Sequence, residues 1–279
     1  MSNHISTLLI ANRGEIARRI TRSAHTMGIR TVAVYADSDT QAPFVKEADQ
    51  KIALRGRSAR HTYLDSDKIL AAASLGGADA IHPGYGFLSE NAEFAQAVID
   101  AGLIWVGPSP SAITAMGDKL SAKQVMTQAG VPQLPSGELL PDSDSHAVAA
   151  SIGFPLLVKA SAGGGGKGMR VVEHRDELEA ALDSAKREAG AAFGDDTVFL
   201  ERWVRRARHI EVQVIGDTHG NVVHCFEREC SIQRRHQKII EEAPSPVMTE
   251  SLRQRMTDAA VTAAKAVGYF SAGTVEFLV

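Results

Sequence analysis

Residues 159–169 read K-A-S-A-G-G-G-G-K-G-M between two apolar runs. Glycines at 163, 164, 165, 166 and 168 strip β-carbons from the turn, so backbone N–H groups can converge on an anion while the segment keeps freedom to move. Lys159 closes the preceding apolar run and Lys167 sits among the glycines, and two ammonium groups flanking such a turn suit phosphate. The pattern is not a Walker A motif, because Ser161 stands where its first glycine would be and Gly168, not Ser or Thr, follows Lys167. A ligand-free glycine hairpin is the alternative, and it leaves both lysines unexplained.

Other segments offer weaker chemistry. Residues 10–15, I-A-N-R-G-E, place a strand–loop–helix turn where dinucleotide folds carry G-x-G-x-x-G, but only one of those glycines is present, which argues against a nicotinamide cofactor. Asp37 closes the second strand, where such folds bind a ribose; a helix cap or a surface acid is equally open. Residues 82–91, H-P-G-Y-G-F-L-S-E-N, follow a buried strand, at the end of a parallel sheet where ligands usually sit, although a turn capped by Ser89 or Asn91 would read the same way. Residues 226–243 interleave acids and bases, including Arg228, Lys238 and Glu241, and by composition form a solvated charged loop. Glu276 could act as a hard-oxygen ligand for Mg²⁺. Cys225 and Cys230 make a lone C-x4-C pair, a poor zinc signature, and read as two reduced thiols near a strand end.

These residues need elements to hold them. Short β-branched runs alternate with helical patterns at the start of the chain, as in a parallel sheet covered by helices. Strands are expected over Thr7–Ala11, Thr31–Ala36, Ala78–His82 and Ile104–Val106, with helices over Glu15–Met27 and Asp65–Leu75. Turn-rich stretches at Gly130–Gly137 and Leu140–Ser145 mark a boundary. Beyond it come strands Leu156–Ala160, Met169–Val172 and Thr197–Glu201 and a helix over Asp176–Glu188, a small α/β module. In His209–Ile215, strict alternation puts His209, Glu211 and Gln213 on one face and Ile210, Val212 and Val214 on the other. Gly273–Val279 repeats it, with Thr274, Glu276 and Leu278 opposite Val275, Phe277 and Val279. The chain stops at this strand, and a domain cut short is the expectation.

The composition is that of a soluble globular protein: 279 residues, 44% hydrophobic and 23% charged, with no internal repeat. A net charge of −3 offers no basic field for nucleic acid or an anionic membrane. No apolar run approaches the roughly 20 residues of a membrane span, and residues 1–6 lack the features of a signal peptide, so a cytoplasmic location is expected.

Taken together, the motifs resemble the biotin carboxylase family of ATP-grasp ligases, found in acyl-CoA carboxylases and pyruvate carboxylase. They are I-A-N-R-G-E-I-A at 10–17, H-P-G-Y-G-F-L-S-E-N at 82–91, M-G-D-K at 116–119, G-G-G-G-K-G-M at 163–169, R-H-I-E-V-Q-V at 208–214, Q-R-R-H-Q-K at 233–238, E-E-A-P at 241–244 and A-G-T-V-E-F-L at 272–278, in family order. The resemblance implies an α/β fold in three parts: a Rossmann-like parallel-sheet domain over 1–117, an ATP-grasp linker and glycine-rich lid over 118–204, and the start of the catalytic subdomain over 205–279. It implies that Lys119, Lys159, Gly164, Gly165, Gly166, Lys167 and Gly168 hold the ATP phosphates, with Glu201 and Val204 at the adenine. His209, Gln233 and His236 would line the rest of the nucleotide site. Lys238 would contact bicarbonate as the catalytic residue present, Tyr85 would lie near biotin, and Glu276 would bind Mg²⁺ or Mn²⁺. Ala162 departs from the family's usual glycine and implies a slightly stiffer lid. The implied partners are a biotin carboxyl carrier domain or protein, a carboxyltransferase and, in the full-length form, a second copy of the chain. Further metal-binding and basic residues of the family would follow Val279, so the chain alone is expected to turn over little. Another ATP-grasp ligase of the carbamoyl-phosphate or purine type, and a nucleotide-binding module without catalysis, are the competing readings.

Overall fold

A computed structural model describes residues 4–140, 142–161, 169–234 and 237–279. The chain divides into two compact units, Met1–Ile113 and Thr114–Val279.

The first unit is built on a five-stranded parallel sheet. In chain order it contains β1 (Thr7–Ile10), α1 (Gly14–Thr26), β2 (Arg30–Tyr35), α2 (Pro43–Glu47), β3 (Gln50–Ala53), α3 (Ser66–Leu75), β4 (Ala80–His82), α4 (Ala92–Asp100) and β5 (Ile104–Trp105), and α5 (Pro110–Gly117) runs across the division. The strand order is β3-β2-β1-β4-β5. The central run Thr7–Ile10 is wholly buried because helices cover both faces of the sheet. Its alternation feeds two cores: Leu9 joins Val32, Ile69, Ile81 and Phe94 on one side, while Leu8 and Ile10 join Phe44, Val45 and Ala80 on the other. The sequence-based strands and helices of this unit agree with the structure to within two residues at each end. Asp37, left open between ribose ligand and cap, accepts the Gly56 N–H at 3.0 Å and ties down a loop. Asn91 caps α4 through the Phe94 N–H at 2.8 Å.

The second unit holds two antiparallel sheets. Its elements are α6 (Lys119–Gln128), β6 (Ser136–Glu138), α7 (Ser145–Ile152), β7 (Leu156–Ala160), β8 (Arg170–Val172), α8 (Leu178–Phe193), β9 (Val198–Arg202), β10 (His209–Gly216), β11 (Val222–Arg234), β12 (Gln237–Glu242), α9 (Glu250–Ala266) and β13 (Ser271–Leu278). One sheet has the order β6-β9-β7-β8 and the other β12-β11-β10-β13. The segment expected to be only turns carries the short strand β6 and runs up to α7, whose first turn Asp144 caps. The charged segment 226–243, expected from its composition to be a solvated loop, is most of the β11–β12 hairpin instead. Glu227 and Glu229 of this hairpin and Glu211 of β10 are each at most 4% exposed: Arg253 of α9 pairs with Glu227, the Ser245 hydroxyl donates to Glu229, and Arg228 and Lys238 hold Glu211. Among the described residues no helix is long and apolar enough to cross a membrane.

In both sheets the period-2 alternation decides which side chains are free for chemistry. Leu156, Val158, Val198 and Leu200 pack against α7 and α8, which turns Lys159 and Glu201 to the opposite face. Ile210, Val212 and Val214 pack on Met256 and Ala260 of α9, leaving His209, Glu211 and Gln213 on the far face as the alternation predicts. Val275 and Phe277 of β13 pack against that same core, and the register sets Glu276 directly beside Glu211.

Candidate active site

Two lysines, Lys123 and Lys159, hold one carboxylate, Glu201, in the second unit, and a third, Lys119, lies at the end of β7 beside them. Asp118 caps α6 by accepting the Ser121 N–H at 2.8 Å and also takes the Ser161 hydroxyl at 2.5 Å, which fixes the start of the helix beside the end of β7. Those bonds hold the Asp118 carboxyl down at about 2. Lys119 opens the helix and donates to the Ala160 and Ser161 carbonyls at 3.1 and 3.4 Å. Lys123, one turn on, reaches a Glu201 oxygen at 2.7 Å. Lys159 takes the other Glu201 oxygen at 2.7 Å and lies 5.6 Å from the centre of the Phe199 ring. Burial pushes the Glu201 carboxyl up, but Lys159 and Lys123 together pull it below the ordinary carboxylate range. Burial, and then repulsion from Lys159, lower the Lys119 ammonium. Three ammonium groups gathered around Glu201 and the end of β7 suit an anionic ligand such as phosphate.

A second cluster lies on the polar face of the β10–β13 sheet. Lys238 bridges Glu211 and Glu276, the latter at 2.8 Å, and Arg228 donates to Glu211 at 2.7 Å and to Gln213 at 3.1 Å. Burial alone would lower the Lys238 ammonium, yet Glu211 and Glu276 outweigh it and raise it above the ordinary lysine value. Glu211 runs the other way: burial would raise it, and Lys238 and Arg228 bring it below its ordinary value. Cys230 is buried beside these groups, and burial first and Glu211 next push its thiol up to about 11. Glu211, Cys230 and Glu241 present ligand atoms within 4.8 Å of one another, but Arg228 and Lys238 already neutralise Glu211. Both thiols are free, Cys225 exposed and Cys230 buried. Glu276 stands beside Glu211 across β10 and β13 and is the exposed carboxylate of the two, a hard-oxygen group of the type that suits a divalent cation such as Mg²⁺.

The remaining expected residues divide by position. Gln233 donates to the Cys230 carbonyl at 2.9 Å and pairs with Lys238 across the hairpin. His209 is exposed, its N–H bound to the Ser231 hydroxyl at 2.9 Å, and Val204 is exposed. Gly164, Gly165, Gly166, Lys167, Gly168 and His236 lie outside the described residues. In the first unit Tyr85 donates to the Glu15 carboxylate at the rim of a cleft of about 340 Å³ that Asn12, Arg13, Gly14, Ile16 and Gly86 help to line. This cleft opens where the loops after β1 and β4 part, the switch point at which open parallel sheets receive ligands. Asn12 locks its wall by donating to the Pro83 and Tyr85 carbonyls at 2.8 and 3.0 Å.

Sequence reasoning assigned no role to Lys123, Glu211 or Arg228. Lys123 could have been found from its i,i+4 spacing to Lys119, and Glu211 from its place between His209 and Gln213 on a polar strand face. Arg228 gave no signal within a run of alternating charges.

Known proteins share this architecture. Residues 4–113 match the family model "Biotin carboxylase, N-terminal domain", and residues 118–279 match "Carbamoyl-phosphate synthase L chain, ATP binding domain". The chain is 53% identical over 276 residues to the mitochondrial methylcrotonoyl-CoA carboxylase subunit alpha of Dictyostelium discoideum, covering 98% of this chain and 40% of that protein. It is 51% identical to the chloroplastic biotin carboxylase of Arabidopsis thaliana, covering 97% of this chain and 51% of that one. The chain therefore spans about two fifths to one half of the length of these curated relatives. Among solved structures, a biotin carboxylase–β,γ-ATP complex from Campylobacter jejuni superposes with a TM-score of 0.95 at 49% identity, over 99% of this chain and 62% of that one. The biotin carboxylase domain of Hydrogenobacter thermophilus 2-oxoglutarate carboxylase, solved with MgADP, ADP and bicarbonate, gives 0.92 at 45% identity, over 98% and 61%. With motifs, both domains and the three-dimensional match agreeing along nearly its whole length, the chain belongs to the biotin carboxylase family of ATP-grasp proteins.

Proposed function

We propose that this chain is the nucleotide-handling portion of a biotin carboxylase, which uses ATP and bicarbonate to carboxylate biotin on a carrier, within an acyl-CoA carboxylase. The observation that carries the proposal is the gathering of three lysines at the end of β7, where Lys123 and Lys159 hold the two oxygens of Glu201 and Lys119 donates to the Ala160 carbonyl, just before the glycine-rich segment in sequence. In this reading Lys119 and Lys159, with Gly164, Gly165, Gly166, Lys167 and Gly168, hold the phosphates of ATP. Glu201 and Val204 flank the adenine, and His209, Gln233 and His236 line the rest of the nucleotide site. The 118–204 segment serves as linker and lid, and 205–279 as the beginning of the catalytic subdomain.

Transfer of a phosphoryl group to bicarbonate spreads negative charge over oxygens, which preorganised cations stabilise. Lys238 is suited to the bicarbonate side because its flanking carboxylates keep it protonated well above neutral pH. Glu276 would hold Mg²⁺ or Mn²⁺, which supplies charge neutralisation at the phosphates when bound. In the parallel-sheet unit, Tyr85 and its cleft are assigned to biotin. A biotin carboxyl carrier, a carboxyltransferase and a second copy of the chain are the proposed partners of the whole protein.

The test is equilibrium binding of a fluorescent ATP analogue to this chain beside Lys159→Ala, together with ADP release by the whole protein when bicarbonate and free biotin are each omitted. Micromolar binding that Lys159→Ala weakens at least tenfold, with ADP release that needs bicarbonate and rises with biotin, is the expected result. ADP release driven by ammonia instead would assign the chain to carbamoyl-phosphate chemistry, and no nucleotide binding would overturn the proposal.

A further inference from the structure

The lysine cluster contains a residue that the family resemblance leaves without a role. Lys123 donates to one oxygen of Glu201 and Lys159 to the other, each at 2.7 Å, and Glu201 is only 7% exposed. A carboxylate at that depth needs a counter-charge whatever else happens around it, since removing one partner of a buried pair strands the other. Lys159 cannot both supply that charge and turn to an incoming phosphate.

We infer that Lys123 is a positioning residue of the anion site, the resident counter-ion of Glu201 that frees Lys159 to engage the phosphates of a nucleoside triphosphate. The inference rests on the nucleotide reading given above and adds the device that makes Lys159 available. Lys119 and Lys123 lie one turn apart on α6, so the helix delivers one ammonium to the carbonyls at the end of β7 and the next to Glu201. Asp118 anchors that helix to Ser161, which fixes the height of both lysines against β7 and β9. With Lys123 gone, Glu201 retains Lys159 as its one cation in this pair of contacts, and a phosphate must compete with a buried carboxylate for the same ammonium.

Three variants test this. Lys123→Met should weaken binding of ATP and of inorganic tripolyphosphate by roughly tenfold or more, the scale of one buried charge contact, and leave adenosine binding within about twofold. Adding Glu201→Gln to Lys123→Met removes the carboxylate that holds Lys159, and affinity for tripolyphosphate, which makes no adenine contact, should return to within about threefold of the parent. Lys123→Arg, which keeps the counter-charge, should stay equally close. Triphosphate affinity unchanged in Lys123→Met overturns the inference. So does a loss that Glu201→Gln fails to restore, because Lys123 would then act on the ligand or on the fold directly. Tripolyphosphate separates the two levels: a chain that binds it with this mutational pattern but does not bind ATP retains the lysine device and loses the nucleotide reading. Binding of neither ligand overturns both.

Discussion

Glu211 sits at 4% exposure between two cations, Arg228 on the neighbouring strand and Lys238 on the hairpin beyond it. Both cations have other partners, Gln213 for Arg228 and Glu276 for Lys238, and both are about one-third exposed. Glu211→Gln therefore costs less than the 3–5 kcal/mol typical of breaking a fully buried pair, and about 2 kcal/mol is expected in urea unfolding. The pH dependence has a definite sign. Glu211 is lowered by folding, so its contribution is present above the ordinary carboxylate value of about 4.3 and is lost as pH falls through its folded value. Lys238 is raised, so its contribution is present below about 10.4 and is lost as pH rises through its folded value. The network is at full strength from roughly pH 5 to pH 10. Unfolding midpoints of the parent should decline below that window, and Glu211→Gln should decline less steeply on the acid side. Equal acid slopes would show that Glu211 is not a principal titrating contributor.

At the scale of elements, the loops after β1 and β4 interlock through one glycine. Gly84 has φ +69°, and a β-carbon there would lie 2.7 Å from both the Asn12 amide nitrogen and Ile16 Cγ2. Gly86 has φ +72° with nothing within 4 Å. Gly86→Ala therefore meets only the left-handed backbone penalty, about 1–2 kcal/mol, whereas Gly84→Ala adds an overpacking penalty and should cost about 2–4 kcal/mol. Calorimetry of the two variants isolates the steric part. Equal losses would mean that the Asn12 clamp yields without cost, leaving the cleft beside Tyr85 less rigid than its hydrogen bonds imply. The same loops illustrate what the sequence could convey. The buried strands Thr7–Ile10 and Arg30–Tyr35 announce themselves as apolar runs, and the alternation in β10 and β13 gave the polar and core faces correctly. The β11–β12 hairpin did not, because bulges near Glu229 and Ile232 break the period and two of its acids, Glu227 and Glu229, are buried against Arg253 and Ser245. In the site, residues on one regular face were readable, and so was Lys159 at the end of its apolar strand. Lys123 and Arg228 were not, because their roles are fixed by Glu201 and Glu211, partners 78 and 17 residues away on other elements.

Across the whole molecule, each unit has its own core: the parallel sheet buries Leu9, Val32, Ile81 and Phe94, and the second unit buries Leu156, Leu200, Ile210 and Met256. The lysine cluster belongs entirely to the second unit, and α6 is tied to α9 there through Met126, Val131, Ala259 and Ala263. A ligand that binds the native state alone stabilises it by an amount set by its concentration over its dissociation constant, about 2.7 kcal/mol at a hundredfold excess over Kd. That stabilisation reaches amides that open only when the ligand is released. Tripolyphosphate at such an excess should therefore slow hydrogen exchange in α6, β7 and β9, and through the shared α6–α9 core in α9, while exchange in β1, β2 and β4 stays at its ligand-free rate. Slowing throughout the parallel sheet as well would show that the two units open as one cooperative body, despite their separate cores. Slowing confined to the amides around Lys159 would show that α6 does not transmit the anion's stabilisation to α9.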